Sequence, residues 1–377
     1  MSPENRFEGL AAPGVRGLSP YVPGKPPEQL ERELGIKGSV KLASNENPLG
    51  PGPRARAALA AAIANVGHYP DGSGHGLRAR IAHRHGVDIG QVTLGNGSND
   101  ILVMLAEAFL VPGAEAVYSQ YAFAVYPAAV QASGATARVV AAWPARHEQP
   151  LGHDPAALAG AVGPATRMIF VANPNNPTGT WLDEAQLDAL LGAVPSDVIM
   201  VLDEAYHEYS ASQGVPDGLR WLARHPNLVV TRTFSKAYGL AGLRVGYAIS
   251  HPDLADILNR IRQPFNVSVP ALAAAAAALD DHEHLAATVA LNRAGIERLR
   301  AGLAGLGVVA APSAGNFVLA DLGQAAGPID HRLLREGVIV RPLANYGLPN
   351  HLRITTGTAA QNERLLAAMA DAIATVS

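Results

Sequence analysis

The sequence predicts an α/β fold: a large domain on a mainly parallel central sheet sandwiched by helices, followed by a smaller α+β domain. Three observations lead there. Between residues 51 and 265, short apolar runs recur without period-two alternation, the pattern of strands buried on both faces. Segments with helical spacing lie between several of these runs, and such alternation builds a layered, mainly parallel sheet. After about residue 266 the texture changes to two helical segments and then short strands. A chain of 377 residues is long enough for two domains.

Taken in order, residues 1–50 are rich in Pro and Gly and predict an arm with few regular elements that completes the smaller domain. In the large domain, residues 51–265, strands are predicted at 92–94, 116–118, 168–172, 198–202, 228–231 and 245–249. A helix is predicted over 98–109, because Ile101, Leu102, Leu105, Ala108 and Phe109 share one broad face, and another over 182–191 with Leu187, Leu190 and Leu191. The smaller domain, 266–377, reads as helices at 270–280 and 282–306, strands at 316–321, 338–341 and 352–355, and a last helix at 360–375.

Composition narrows the function. The chain is 48% hydrophobic and 16% charged, which supports a sizeable core and argues against disorder. A net charge of -3 without blocks of like charge argues against nucleic acid as a partner. Cysteine is absent, which removes disulfides, thiolate metal sites and a cysteine nucleophile. His68, His75, His83 and His85 are not at a metal-binding spacing, so no metal is expected. Residues 1–20 hold no apolar stretch of the secretory type, and the alanine-rich run 270–279 is too short to span a bilayer. These features predict a soluble, cytoplasmic protein without a membrane partner.

In open α/β sheets, ligands bind beyond the carboxyl ends of the strands. The first predicted strand runs into "GNGSND", residues 95–100, which opens a helix, and backbone N–H groups at a helix N-terminus favour an anion. The next runs into "SQYAFAVY", with Tyr121, Phe123 and Tyr126. "NPNNPTG" follows at 173–179, "DEAY" at 203–206, and "RTFSK" ends at Lys236, with Arg244 eight residues on. Each has an ordinary reading: a turn and helix cap, a loop, a capping Asp, a core Phe, a solvated lysine. The joint order across strand ends is what points to chemistry. Pyridoxal phosphate needs all of these parts. It needs a lysine amine, an anion cup with an arginine, a carboxylate for its pyridine nitrogen, a donor to its ring oxygen and an aromatic face.

The motifs resemble those of fold-type I pyridoxal-phosphate aminotransferases, and most closely the histidinol-phosphate aminotransferase family. The resemblance runs from "SPYVPGKP" at 19–26 and "LASNENPLGP" at 42–51, through "NPNNPTG", "DEAY" and "TFSKAYGLAGLRVGY", to "LRITTGT" at 352–358. It implies that Lys236 is the Schiff-base lysine and proton shuttle. It implies that Asp203 pairs with the pyridine nitrogen, Tyr206 and Asn176 face the ring oxygen, and Phe123 stacks on the ring. Ser98, Asn99, Thr233, Ser235 and Arg244 are implied to hold the phosphate, and Tyr69 of "HYPDGSG" to reach the phosphate of a neighbouring subunit, which implies a homodimer with shared sites. On the substrate side, Arg353 matches the carboxylate-binding arginine, Arg341 a second anion-binding arginine and Tyr21 an arm tyrosine near the substrate phosphate. Asn45 lies in an arm segment that borders the site, and Asn176–Pro177 matches a bond often cis in relatives. The implied reaction moves an amino group between histidinol phosphate and 2-oxoglutarate. The alternatives on this scaffold are an aromatic amino-acid aminotransferase and a phosphothreonine-type decarboxylase. A non-catalytic relative would be expected to lack Lys236 or Asp203.

Overall fold

The structure, a computed structural model, describes residues 6–376; the first five residues of the expected arm and Ser377 lie outside them. In chain order the strands are β1 (Val40–Lys41), β2 (Val92–Gly95), β3 (Glu115–Ser119), β4 (Thr136–Val140), β5 (Thr166–Ala172), β6 (Ile199–Asp203), β7 (Leu228–Thr233), β8 (Gly246–Ser250), β9 (Val309–Ala310), β10 (Phe317–Asp321), β11 (Val338–Ile339), β12 (Arg341–Leu343) and β13 (Leu348–Thr355). β2 to β8 form a seven-stranded sheet in the order β2-β8-β7-β6-β5-β3-β4. The pairs among β3, β4, β5, β6 and β7 are parallel. β8 runs antiparallel between β2 and β7, because no crossover helix separates it from β7.

β6, β7 and β8 are buried along their whole length, which is why the predicted runs 198–202, 228–231 and 245–249 show no period-two alternation. Helices Ser98–Phe109, Val125–Ala132 and Pro252–Ile261 cover one face, where Ile101, Leu105, Tyr126, Val130 and Leu258 pack against Met168, Phe170 and Val201. Helices Pro155–Gly160 and Glu184–Ala193 cover the other, through Leu158, Leu187, Leu190 and Leu191. Each of these large side chains contributes roughly 1.5–3 kcal/mol on full burial. The second of those helices starts two residues later than the apolar spacing suggested, because Asp183 and Gln186 close a capping box there.

β12-β13-β10-β9 form a four-stranded antiparallel sheet. Helices His282–Gly305, Ala326–Arg335 and Ala359–Val376 supply its core with Leu299, Ile329, Leu333, Leu365 and Met369. The strand expected over 338–341 is two strands: β11 pairs with β1, and β12 pairs with β13. Pro342 lacks an N–H and sits on the edge strand of the sheet, where one is least needed. The arm is more regular than expected. Helix Pro27–Leu34 begins with Pro at its first position and ends at Gly35, whose φ of 67° is left-handed. The arm then crosses to the four-stranded sheet: Thr355 donates its N–H to Leu42 O at 2.8 Å, and Leu42 is buried in that sheet's core.

Candidate active site

The carboxyl ends of β5, β6 and β7, the loop after β3 and the start of helix Ser98–Phe109 converge on one cavity of about 260 Å³, closed opposite by arm residues 44–46, Arg341, Tyr346 and Arg353. Tyr21, Asn45, Ser98, Asn99, Phe123, Asn176, Asp203, Tyr206, Thr233, Ser235, Lys236, Arg244, Arg341 and Arg353 all line it. Tyr69 does not. It is 81% exposed, stacked on Phe265 at 4.7 Å in a separate hollow of the surface. A larger cleft of about 550 Å³ lies beside Arg84, His207 and His282 and takes in none of the predicted site residues.

Lys236 follows β7 directly. Its Nζ donates to Ser44 O at 3.2 Å and makes no ion pair among the described residues. Burial, with the charge of Arg353 nearby, lowers its pKa to about 8. Asp203 is the last residue of β6 and is buried. Its Oδ2 accepts from Tyr126 Oη at 2.9 Å and its Oδ1 from Thr231 Oγ1 at 3.1 Å. Burial still raises its carboxyl pKa. Tyr206 is also buried, which pushes its phenol up to about 12, and its oxygen accepts from Asn45 Nδ2 at 2.8 Å. Asn176 Oδ1 accepts from Arg353 Nη1 at 2.7 Å, so the Asn176 amide N–H groups remain for the cavity. The Asn173–Pro174 and Asn176–Pro177 bonds are both cis.

The anion cup is built from backbone. Helix Ser98–Phe109 has no side-chain cap at Gly97, so its first N–H groups are not taken by a capping side chain. Gly97 has φ 80°, and a Cβ there would strike Arg244 Nη2; a Cβ at Gly246 would strike the Ser98 nitrogen. Glycine at these two places lets the guanidinium and the helix start meet. Arg244 Nη1 lies 3.5 Å from Ser235 Oγ, and Thr233 Oγ1 accepts from Ser235 N at 3.1 Å.

On the opposite wall, Arg341 and Arg353 are directly paired across β12 and β13. Arg341 sits 5.6 Å over the Tyr21 ring. Arg353 is 7% exposed, donates to Asn176 Oδ1 and to Ala43 O at 2.6 Å, and keeps a buried Nε without a partner. Neither arginine has a carboxylate partner among the described residues.

These residues fit pyridoxal phosphate. The uncapped helix start with Arg244 suits a phosphate, the buried Asp203 has no cationic partner among the described residues where a protonated pyridine nitrogen would supply one, and Lys236, its amine pKa lowered by burial, lines the same cavity. Phe123 lines the same cavity and meets Tyr126 edge-on at 5.9 Å. Sequence reasoning missed the bond from Tyr126 to Asp203 and the presence of Tyr346, Ser44 and Glu46 in the wall. Tyr126 was visible as an aromatic after β3, but no local signal says that its hydroxyl reaches the end of β6.

The family model of the class I and II aminotransferases matches residues 37–369. A histidinol-phosphate aminotransferase 2 of Pseudomonas fluorescens is 58% identical over 370 residues, covering 98% of each chain. Its namesake in Pseudomonas aeruginosa is 55% identical, covering 98% of this chain and 99% of that one. The crystal structure of histidinol-phosphate aminotransferase from Sinorhizobium meliloti in complex with pyridoxal-5'-phosphate superposes with a TM-score of 0.89 at 31% identity, over 100% of both chains. An L-threonine-O-3-phosphate decarboxylase from Porphyromonas gingivalis shares the fold at 24% identity, with a TM-score of 0.76 over 88% of this chain and 98% of that one.

Proposed function

The chain belongs to the class I and II aminotransferases, and on that premise we propose that it is a pyridoxal 5'-phosphate-dependent transaminase acting on histidinol phosphate. It transfers the amino group to 2-oxoglutarate, giving imidazole-acetol phosphate and glutamate, a step of histidine biosynthesis. The observation that carries the substrate class is the pair Arg341 and Arg353. Two guanidinium groups without carboxylate partners among the described residues face one cavity with Lys236, and they suit a substrate that brings its own anion.

Pyridoxal phosphate, when bound, supplies the electron sink for the substrate α-carbon. The chain's residues do the rest. Lys236 Nζ takes and returns the α-carbon proton, and its lowered pKa suits it to that exchange. Asp203 holds a proton on the pyridine nitrogen, with Tyr126 and Thr231 fixing the carboxylate. Tyr206 and Asn176 would donate to the ring oxygen, and Phe123 would bear on the ring face. Ser98, Asn99, Thr233, Ser235 and Arg244 would hold the phosphate. Tyr21, Asn45, Arg341 and Arg353 border the substrate.

Residues 1–50 serve in this reading as the arm, 51–265 as the cofactor-binding domain and 266–377 as the small domain. The working form is a homodimer. Tyr69, exposed and outside the lining of its own cavity, reaches the phosphate in the partner's site. The reaction belongs in the cytoplasm; among the described residues no helix is long and apolar enough to cross a membrane.

A second reading, an aromatic amino-acid aminotransferase, is favoured by the aromatic walls of Tyr21, Phe123 and Tyr346. Transamination measured side by side with histidinol phosphate, phenylalanine and tyrosine separates the two. The proposal expects the highest kcat/KM for histidinol phosphate; a preference for phenylalanine or tyrosine would replace it with the second reading.

A further inference from the structure

Asn45 looks like a substrate contact, yet both ends of its amide are already engaged inside the protein. Its Nδ2 donates to Tyr206 Oη at 2.8 Å, and its Oδ1 accepts from Thr355 Oγ1 at 3.0 Å. Its backbone N–H donates to the same Thr355 oxygen at 2.9 Å. Asn45 is 1% exposed and Thr355 3%, so water does not compete. A φ of 55° holds Asn45 in the left-handed region, which asparagine tolerates better than most residues.

The hydroxyl of Thr355 decides which way the amide points. A backbone N–H can only donate, so Thr355 Oγ1 is an acceptor on that side, and its single proton goes to Asn45 Oδ1. Turning the amide over would set Nδ2 against Thr355 and leave that hydroxyl proton without an acceptor in a buried place, a costly arrangement. It would also set Oδ1 against Tyr206, which would then donate its own proton toward Asn45 and away from the cavity. As built, Asn45 donates to the Tyr206 oxygen, and the Tyr206 proton is left to point into the cavity.

We propose that Asn45 and Thr355 are positioning residues that act through Tyr206, fixing its hydroxyl as a donor toward the cofactor's ring oxygen. Thr355 lies two residues after Arg353 on β13, so the strand that carries the substrate-binding arginine also sets the donor on the cofactor. This rests on the reading of Tyr206 as the ring-oxygen partner.

The test reads the cofactor's colour, without substrate. In the purified holoenzyme, the pH at which the visible absorption of the lysine-bound cofactor changes depends on how well the ring oxygen is held as an anion. A donated proton lowers that midpoint. Tyr206→Phe removes the donor and should raise the midpoint by about one pH unit or more, the scale of a hydrogen bond to a charged group. Asn45→Asp keeps the shape but turns the neighbour of Tyr206 into an acceptor, and should raise the midpoint comparably. Thr355→Val should raise it in the same direction by a smaller amount, and Thr355→Ser, which keeps the hydroxyl, should restore it. If Tyr206→Phe leaves the midpoint in place, the assignment of Tyr206 fails. If Tyr206→Phe raises it while Asn45→Asp and Thr355→Val leave it in place, Tyr206 stands and the positioning role of Asn45 and Thr355 is overturned. Should Thr355→Val not fold, Asn45→Asp and Thr355→Ser decide the matter alone.

Discussion

Among the described residues two arginines are buried, and they live under opposite conditions. Arg232, on β7 and facing away from the cavity, donates to Glu204 Oε2 at 2.9 and 2.6 Å and to Asp217 Oδ1 at 2.6 Å. Burial works against its charge, and the two carboxylates more than reverse that, so its pKa is raised. Arg353, on β13, is held by neutral oxygens, has one orphan N–H, and has its pKa lowered chiefly by burial. The first guanidinium is complete within the fold. The second is a buried cation whose counter-charge must come from outside, and burying it without a ligand costs stability that a scaffold would have no reason to give up. Lys236 stands with Arg353 in this respect, since its amine donates to Ser44 O and has no carboxylate partner among the described residues. The same contrast explains the Glu204, His207 and Asp217 cluster, which has the residue types of a metal site. The Arg232 guanidinium bridges both carboxylates and supplies the positive charge a metal would otherwise bring.

If the contrast holds, changes in the two regions should separate activity from stability. The largest effect belongs to Lys236→Ala. General acid–base groups contribute about 10²–10⁴-fold, and in the proposed mechanism this residue also carries the cofactor, so single-turnover rates should fall by about 10⁴-fold or more, roughly 5 kcal/mol. Urea unfolding of the cofactor-free protein should hardly change, because no paired charge is lost. Near-native turnover would remove Lys236 from the chemistry.

Arg232→Met should do the reverse. It strands Glu204 in a dry place, and breaking a buried pair from one side costs about 3–5 kcal/mol of stability. The unfolding midpoint should drop accordingly, while kcat of the folded protein changes little. An unchanged midpoint would show that the pair is no scaffold. Arg353→Leu is the counterpart: about 3 kcal/mol lost from kcat/KM for glutamate, the upper range for hydrogen bonds to a charged group, with stability held or raised. A matching loss of stability would collapse the distinction between the two arginines.

How much of this was readable in the sequence follows the same division. The buried strands announced themselves as apolar runs, and the rule of strand ends then picked out the segments 95–100, 173–179 and 203–206 and Lys236; within the first two, the family resemblance singled out Ser98 and Asn176. β4 was missed because it is an edge strand whose Thr136–Val140 side chains are mostly exposed, so it carries no apolar run. Helix Pro27–Leu34 was missed because Leu30 is its one buried side chain, too little for a visible stripe. Pairing across long sequence separation was not legible at all. Asn45 with Thr355, Tyr126 with Asp203 and Arg232 with Glu204 depend on how the arm and helices pack, and residue types alone do not say whether an arginine has found its carboxylate.

The smallest and most selective effect should come from Arg341, which stands between the two extremes. It is half-buried, rests over the Tyr21 ring and has no carboxylate partner among the described residues, so it is open both to solvent and to a ligand. Glutamate carries two carboxylates, and in the proposed function Arg353 takes the α-carboxylate and Arg341 lies near the distal one. Histidinol phosphate has a phosphate and no carboxylate, so both arginines and Tyr21 can converge on its single anion, and a planar guanidinium fork accepts either group. Arg341→Leu should therefore cost about 1.5–3 kcal/mol in kcat/KM for glutamate and for histidinol phosphate. Phenylalanine, with no second anion, should lose far less, and the unfolding midpoint should stay in place because no internal pair is broken. Parallel kcat/KM measurements on the three substrates check this. Equal losses on all three, or none, would make Arg341 an ordinary strand-end arginine and leave Arg353 as the one arginine of its sheet that depends on a ligand.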